Sequence, residues 1–287
     1  MKRALFRNNR SMAGKLSDKD RVNLEWWQEA VNVGDQLSPV IHMWMCQKFG
    51  VDPRRKMDNR RISIHRTKHV MELGSILGMG EFDACVWGSG IHCEESARVV
   101  MEQRKFRKYD IRAVRGPLTG FFLRAAGYEC PEVYGDPAVL MPLCYKPQNV
   151  LKKYKLAYVG HYDQTYSGDE DVSERIHFIS AATADYQNFI NEIVASEIVL
   201  SSSLHGIILA ESYGVPAVFV TEGMEQELMK FLDWYYSTDR YEIKKADSLK
   251  DGIGMAPMKL PDLNRMQEGL INSFPVDLWK NGYEEEK

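Results

Sequence analysis

Residues 198–220 read IVLSSSLHGIILAESYGVPAVFV. An apolar run ends in three serines, a helical pattern follows and stops at Gly214, and PAVFV then opens a second apolar run. Strand, helix and strand in that order make a βαβ unit, and with it a parallel sheet. In an open parallel sheet, ligands bind beyond the carboxyl ends of the strands, where each loop enters its helix. Ser201, Ser202, Ser203, Leu204, His205 and Gly206 occupy that place here. A helix starting near His205 aims unpaired backbone N–H groups at the loop, which suits a phosphate or carboxylate, and a histidine moves a proton near neutral pH. A serine at a helix start also serves as a plain N-cap, so both readings stand.

Outward from this unit the alternation continues. Downstream come PAVFV and a helix at EQELMKFLDWYYS, and the tail PDLNRMQEGLINSFP is a helix expected to pack on the first lobe. Upstream lie strands at KLAYVG, RIHFIS and EIVLSS and a helix at DYQNFINEIVAS. Before them come strands at DACVWGSG and DIRAVRG, a helix PLTGFFLRAAG bounded by Pro117 and Gly127, and a short strand with a turn at EVYGDPAVLMP. The polar, proline-bearing KPQNVLKK marks a boundary. The expected units are an N-terminal lobe over 1–147, a C-terminal lobe over 148–260 and a helical tail over 261–287. Near the start, RALF is expected as a first strand, NNRSMAGKLSDKD as a loop, and QLSPVIHMWMCQKFG as a helix interrupted early by Pro39.

The chain has 287 residues, is 44% hydrophobic and carries a net charge of −3, with both signs interspersed. That provides core for about two domains and no basic field for nucleic acid. Five cysteines at 46, 85, 93, 130 and 144 form no CxxC pair and read as reduced thiols, hence a cytoplasmic protein. No window approaches the roughly 18 apolar residues of a membrane span, so any membrane contact is expected to be peripheral, at the inner face.

Other strand ends carry chemistry too. YVGHYD places His161, Tyr162 and Asp163 after a strand in the same lobe, where His161 would stand beside His205. VRGPLT puts Arg115 at a strand end, either as a two-point anion ligand or in an ion pair. NVGDQL offers Asn32, Gly34 and Asp35 ahead of a helix, with Asp35 either a sugar-binding carboxylate or the N-cap. VWGSG contributes Gly88 and Ser89 but lacks the third glycine of a dinucleotide fingerprint. YGDPA makes a tight turn with Asp136. The acidic GDEDVS lies in a polar loop, no His/Cys set has zinc spacing, and no metal is expected.

In order, NVGDQLSP, VWGSG, VRGPLTGFFLRAAG, YGDPAVLMP, VGHYD, VLSSSLHGIILAESYGVPAVFV and KFLDWYYST resemble the polysaccharide pyruvyl transferase family. Many members have Arg-Leu-His where this chain has Ser203, Leu204 and His205, and often an arginine near His161. The serine form with HYD resembles a succinoglycan-type subgroup. The resemblance implies an α/β fold of two Rossmann-like domains facing across a cleft, similar to the B-type glycosyltransferases. It implies phosphoenolpyruvate as co-substrate with no further cofactor, and a sugar diol as acceptor, on a lipid-linked oligosaccharide, giving a pyruvate ketal. A nucleotide-sugar glycosyltransferase and an inactive glycan-binding relative are the alternatives. In the transferase reading His205 is the acid that protonates the donor methylene, and Asp35 or His161 the base. Ser202, Ser203, Leu204, Gly206, Arg115 and Lys230 are the donor-binding candidates. Asn32, Gly34, Gly88, Ser89, Asp136 and Asp163 are the acceptor or cleft candidates.

Overall fold

A computed structural model describes residues 22–51, 68–79, 83–164, 174–224 and 226–280. The expected strand RALF, the loop NNRSMAGKLSDKD and the acidic GDEDVS lie outside these residues. Among the described residues the strands form two sheets, and every pairing is parallel. The first holds β1 (Val22–Glu25), β2 (Lys68–Met71), β3 (Ala84–Trp87) and β4 (Tyr109–Ala113) in chain order. The second holds β5 (Tyr154–Val159), β6 (His177–Ile179), β7 (Ser196–Ser201), β8 (Ala217–Val220) and β9 (Lys245–Ala246) in the order β6-β5-β7-β8-β9. This is an α/β fold of two Rossmann-like units. In the second sheet the chain leaves β5 to one side for β6 and returns on the other side for β7, so the switch point lies between β5 and β7.

Helix α1 (Val33–Lys48) runs straight through Pro39, contrary to the expected early interruption. Pro39 removes the bond to the Asp35 carbonyl and costs about 3 kcal/mol. Against this, Val33, Leu37, Ile41 and Met45 fall on one stripe and are fully buried, each contributing about 1.5–3 kcal/mol. Burial wins, and the helix persists. Burial alone would pull the imidazole of His42 down, but the Glu72 carboxylate 2.5 Å away and the Cys46 sulfur together outweigh it and push the group up to about 10.

Helices α2 (Glu94–Gln103) and α3 (Pro117–Ala125) cover the first sheet, and α4 (Met141–Cys144) leads toward the second. The strand expected in EVYGDPAVLMP is reduced to a single bridge between Tyr134 and Val114. Pro137 directs the following residues into a 3₁₀ turn, Pro137–Leu140, capped by Asp136. Helices α5 (Tyr186–Val194) and α6 (Leu204–Ser212) follow β6 and β7; α6 is buried from Leu204 to Glu211, enclosed between its sheet and the first lobe. Helix α7 (Leu228–Ser237) starts three residues later than the sequence pattern suggests. Short α8 (Leu249–Ile253) precedes α9 (Asn264–Ser273), which lies across the first lobe. Trp87 donates its indole N–H to the Leu270 carbonyl at 2.9 Å, and Phe274 meets the same ring edge-on. The last described helix, α10 (Asp277–Lys280), is tied to β4 through Arg112 and Asp277.

Two clamps join the halves. The Val33 N–H donates to the Ala181 carbonyl at 2.9 Å. Asp233 on α7 accepts from the Arg115 guanidinium, from both Leu118 and Thr119 N–H at the start of α3, and from the Thr119 hydroxyl.

Candidate active site

A cavity of about 240 Å³ opens between the two sheets. Its walls are the loops leaving the carboxyl ends of β1, β2 and β3 on one side and of β5, β7 and β8 on the other. Because Val159 pairs with Ser201, β5 and β7 end at the same height, and His161 and His205 emerge into one space. Asn32, Asp35, Asp163, Ser203, Leu204 and Lys230 also line it.

On one side stand Asp35 and His205, with Asp136 buried next to the imidazole. Asn32, not Asp35, is the cap of α1: its side-chain oxygen accepts from Gly34 N–H, and its amide donates to Asp35 Oδ2 at 2.8 Å. Freed from capping, Asp35 presents its carboxyl to the cavity. Burial pushes that carboxyl above its ordinary range, outweighing the opposite pulls of His205, the Asn32 amide and Lys230. A carboxyl whose folded-state value is raised favours folding below the unfolded value and loses that advantage as pH climbs through the raised one. Ionised Asp35 therefore costs stability at neutral pH. Asp35→Asn, which keeps the Asn32 contact, is expected to raise the melting temperature while cutting turnover. A lowered melting temperature at neutral pH would contradict this electrostatic account.

Gly34 makes the juxtaposition possible. A Cβ built there would sit 1.9 Å from His205 Nδ1, so only glycine lets the first turn of α1 press against the imidazole. Gly34→Ala is expected to cost about 1–3 kcal/mol of stability through overpacking and to displace the His205 ring. Unchanged stability and turnover would show that the ring tolerates the methyl.

The other side centres on Glu227, which precedes α7. Its carboxylate meets His92 Nε2 at 3.1 Å, the Lys230 ammonium, and His161 Nε2 at 3.9 Å. The hydrogen bond from His92, with the Lys230 charge beside it, holds this carboxyl well below the usual carboxylate range despite partial burial. Burial lowers Lys230 from its ordinary value, and Glu227 opposes that shift. His161 also pairs through Nδ1 with Asp163.

Several candidates act behind the wall. Arg115 is sealed, its guanidinium bonded to Asp233, the Ser75 hydroxyl and the Ile91 carbonyl. It clamps the lobes together and has no free edge for a ligand. Ser202 is fully buried and joins the two strand ends, bonding Tyr158 and Gln164 and accepting from His161 N–H. Ser203 is the N-cap of α6, accepting from Gly206 N–H, and it also faces the cavity. Gly206 serves packing: a Cβ would meet Ser201 Oγ at 2.4 Å. Gly88 takes φ +91° and leaves room for Pro137. Ser89 bonds the Gly74 carbonyl, holding the turn whose Cα faces Asp35.

Sequence reasoning missed His92, Glu227, Gly74, Ser75, Ile76 and Met79 as cavity residues, and Trp27, an aromatic that could stack on a sugar ring or pack into the core, lines the cavity too. His92 follows β3 as His161 follows β5, a positional signal that was available. Glu227 carries no such signal, since its role arises from His92 and His161 on two separate loops and from Lys230 one turn further along its own segment. No group of three His, Cys, Asp or Glu side chains among the described residues is arranged to hold a metal.

Residues 82–223 match the sequence model of polysaccharide pyruvyl transferases. Over those residues the chain is similar to that family. Among curated proteins it is similar to the succinoglycan biosynthesis protein ExoV of Rhizobium meliloti (strain 1021), 30% identical over 132 residues, 45% of this chain. That match spans only 40% of ExoV. An uncharacterized protein of Acanthamoeba polyphaga mimivirus is 25% identical over 239 residues, covering 79% of this chain and 78% of that one. Among solved structures, an uncharacterized protein of Klebsiella pneumoniae subsp. pneumoniae NTUH-K2044 superposes with a TM-score of 0.52 at 15% identity, covering 84% of this chain and 96% of that one. That likeness is one of fold. The polysaccharide pyruvyl transferase match takes in His92, His161 and His205, while Asp35, Glu227 and Lys230 lie outside it and complete the same cavity. No helix among the described residues is long and apolar enough to cross a membrane.

Proposed function

We propose that the protein transfers pyruvate from phosphoenolpyruvate to two hydroxyls of a sugar in a cell-surface polysaccharide precursor, forming a pyruvate ketal. The observation that carries this reading is one interlobe cavity lined by an imidazole and a buried carboxyl on one side and by a lysine and two further imidazoles on the other. Lys230, His92 and His161 already gather around a carboxylate, that of Glu227. An anionic donor would meet the same groups, with Ser203 and the start of α6 alongside.

The donor carbon becomes electrophilic only when its methylene is protonated. His205 supplies that proton; one sugar hydroxyl adds to the carbon and surrenders its own proton to Asp35. Phosphate then departs, the second hydroxyl closes the ring, and its proton leaves with the phosphate. Raised basicity suits Asp35 to the acceptor-side role, since a general base works best near the operating pH. His161, engaged with Asp163 and facing Glu227, fits donor binding better than the base role. Gathering both substrates between fixed groups supplies much of the rate acceleration. The acceptor is expected to be lipid-linked and presented at the cytoplasmic membrane face.

Thermal shift with phosphoenolpyruvate and with UDP-sugars tests the donor. Stabilisation by phosphoenolpyruvate supports the proposal, whereas stabilisation by the nucleotide sugar alone would favour glycosyl transfer. Sugar binding with no phosphate release would point to a binding relative.

A further inference from the structure

His205 Nε2 and Asp136 Oδ2 are both buried, both lack a hydrogen-bond partner, and lie 3.6 Å apart. A good N–H···O bond closes at roughly 3.2 Å, so a small ring rotation joins them. Two orphaned polar atoms facing each other in a sealed place cost more apart than together. Asp136 cannot swing away, because its other oxygen, Oδ1, accepts from Ala138 N–H at 3.0 Å and caps the 3₁₀ turn. On its opposite edge the ring is stopped by Gly34, against Nδ1.

We infer that Asp136 is a positioning residue that holds His205 in the Nε2–H tautomer and so leaves Nδ1 as the nitrogen that carries the transferable proton. A carboxylate accepts only, so it selects the tautomer with hydrogen on the nitrogen it faces. Once the imidazolium gives up its Nδ1 proton, the neutral form that remains is the one Asp136 stabilises. Proton transfer is thereby confined to the ring nitrogen that Asp136 does not hold. This inference rests on the transferase reading only for its consequence in turnover; the tautomer is a property of the chain alone.

The experiment records long-range ¹H–¹⁵N correlations of the full chain labelled in its imidazoles, with no substrate, and assigns His205 by the signals missing in His205→Ala. The wild type is expected to show Nε2–H with a bare Nδ1. Nδ1–H, or comparable amounts of both forms, would overturn the assignment. Asp136→Asn keeps the oxygen that caps Ala138 and turns an NH₂ toward Nε2, which then must accept. In that variant the correlation pattern is expected to reverse and kcat to fall about 10²–10⁴-fold, with the KM for phosphoenolpyruvate little changed. An unchanged tautomer in a folded variant contradicts the inference even if activity drops. If the variant does not fold, the wild-type pattern decides. A wild type with the expected tautomer but no transfer to any acceptor would remove the proposed function and leave the Asp136 assignment standing.

Discussion

Replacing His205 with alanine is expected to leave a folded protein and to lower phosphoenolpyruvate-dependent turnover by about 10²–10⁴-fold, the usual loss when a general acid is removed. The fold should tolerate the change because the ring is not part of the apolar core. His205 borders the cavity on one side, so water can take the place of the ring beside Asp136. The N-cap of α6 resides in Ser203 and is untouched. Turnover should suffer because no other described imidazole lies against Gly34 and near Asp35. His161 and His92 face Glu227 on the far wall. Circular dichroism and melting temperature check the fold, and phosphate release checks the rate. Wild-type turnover in the folded variant would remove His205 from the mechanism.

Asp233→Ala is expected to produce the largest stability loss, about 3–5 kcal/mol, the cost of leaving one buried charge of an ion pair uncompensated. Arg115 has no solvent exposure, and Asp233 supplies its carboxylate. The same side chain accepts from two N–H groups at the start of α3, donors that helix geometry leaves without internal partners. Gly116 lies so close to Asp233 that a Cβ there would clash with its carbonyl, so water has little room to repair the gap. For a protein whose total stability falls within about 5–15 kcal/mol, this substitution removes a large share. It also loosens the seam on which the cavity depends. Urea unfolding measures it; a loss under about 1 kcal/mol would mean that Arg115 finds another partner and that the lobes are held elsewhere.

The second lobe was legible because its signals are local. Each apolar run from KLAYVG to PAVFV ends in glycine, serine or a polar turn, and each helix between them has a cap or a stop. The register of β5 against β7 follows from those lengths, and with it the meeting of His161 and His205. The first lobe was harder to read. Helix α1 persists through Pro39 because four buried side chains outweigh one missing bond, a balance visible only once the packing is known. Asp35 and Asn32 are both good caps, and spacing alone does not choose between them. Arg115 shows the limit of reading a charge at a strand end: its fork is there, as expected, but a carboxylate from the other half of the chain, 118 residues further on, has already taken it. Glu227 is the converse, a carboxylate unremarkable in sequence that becomes central because His92, His161 and Lys230 converge on it.

The central claim is that an enol phosphate reacts at this interlobe cavity with a sugar diol. It is tested most directly by following phosphate release from phosphoenolpyruvate against a panel of galactosides, glucosides and mannosides and weighing the products. The account predicts acceptor-dependent phosphate release and a product heavier by one pyruvate less one water, stable as a cyclic ketal. A product heavier by a hexose when a nucleotide sugar is supplied, with no phosphate released from phosphoenolpyruvate under any acceptor, would contradict it.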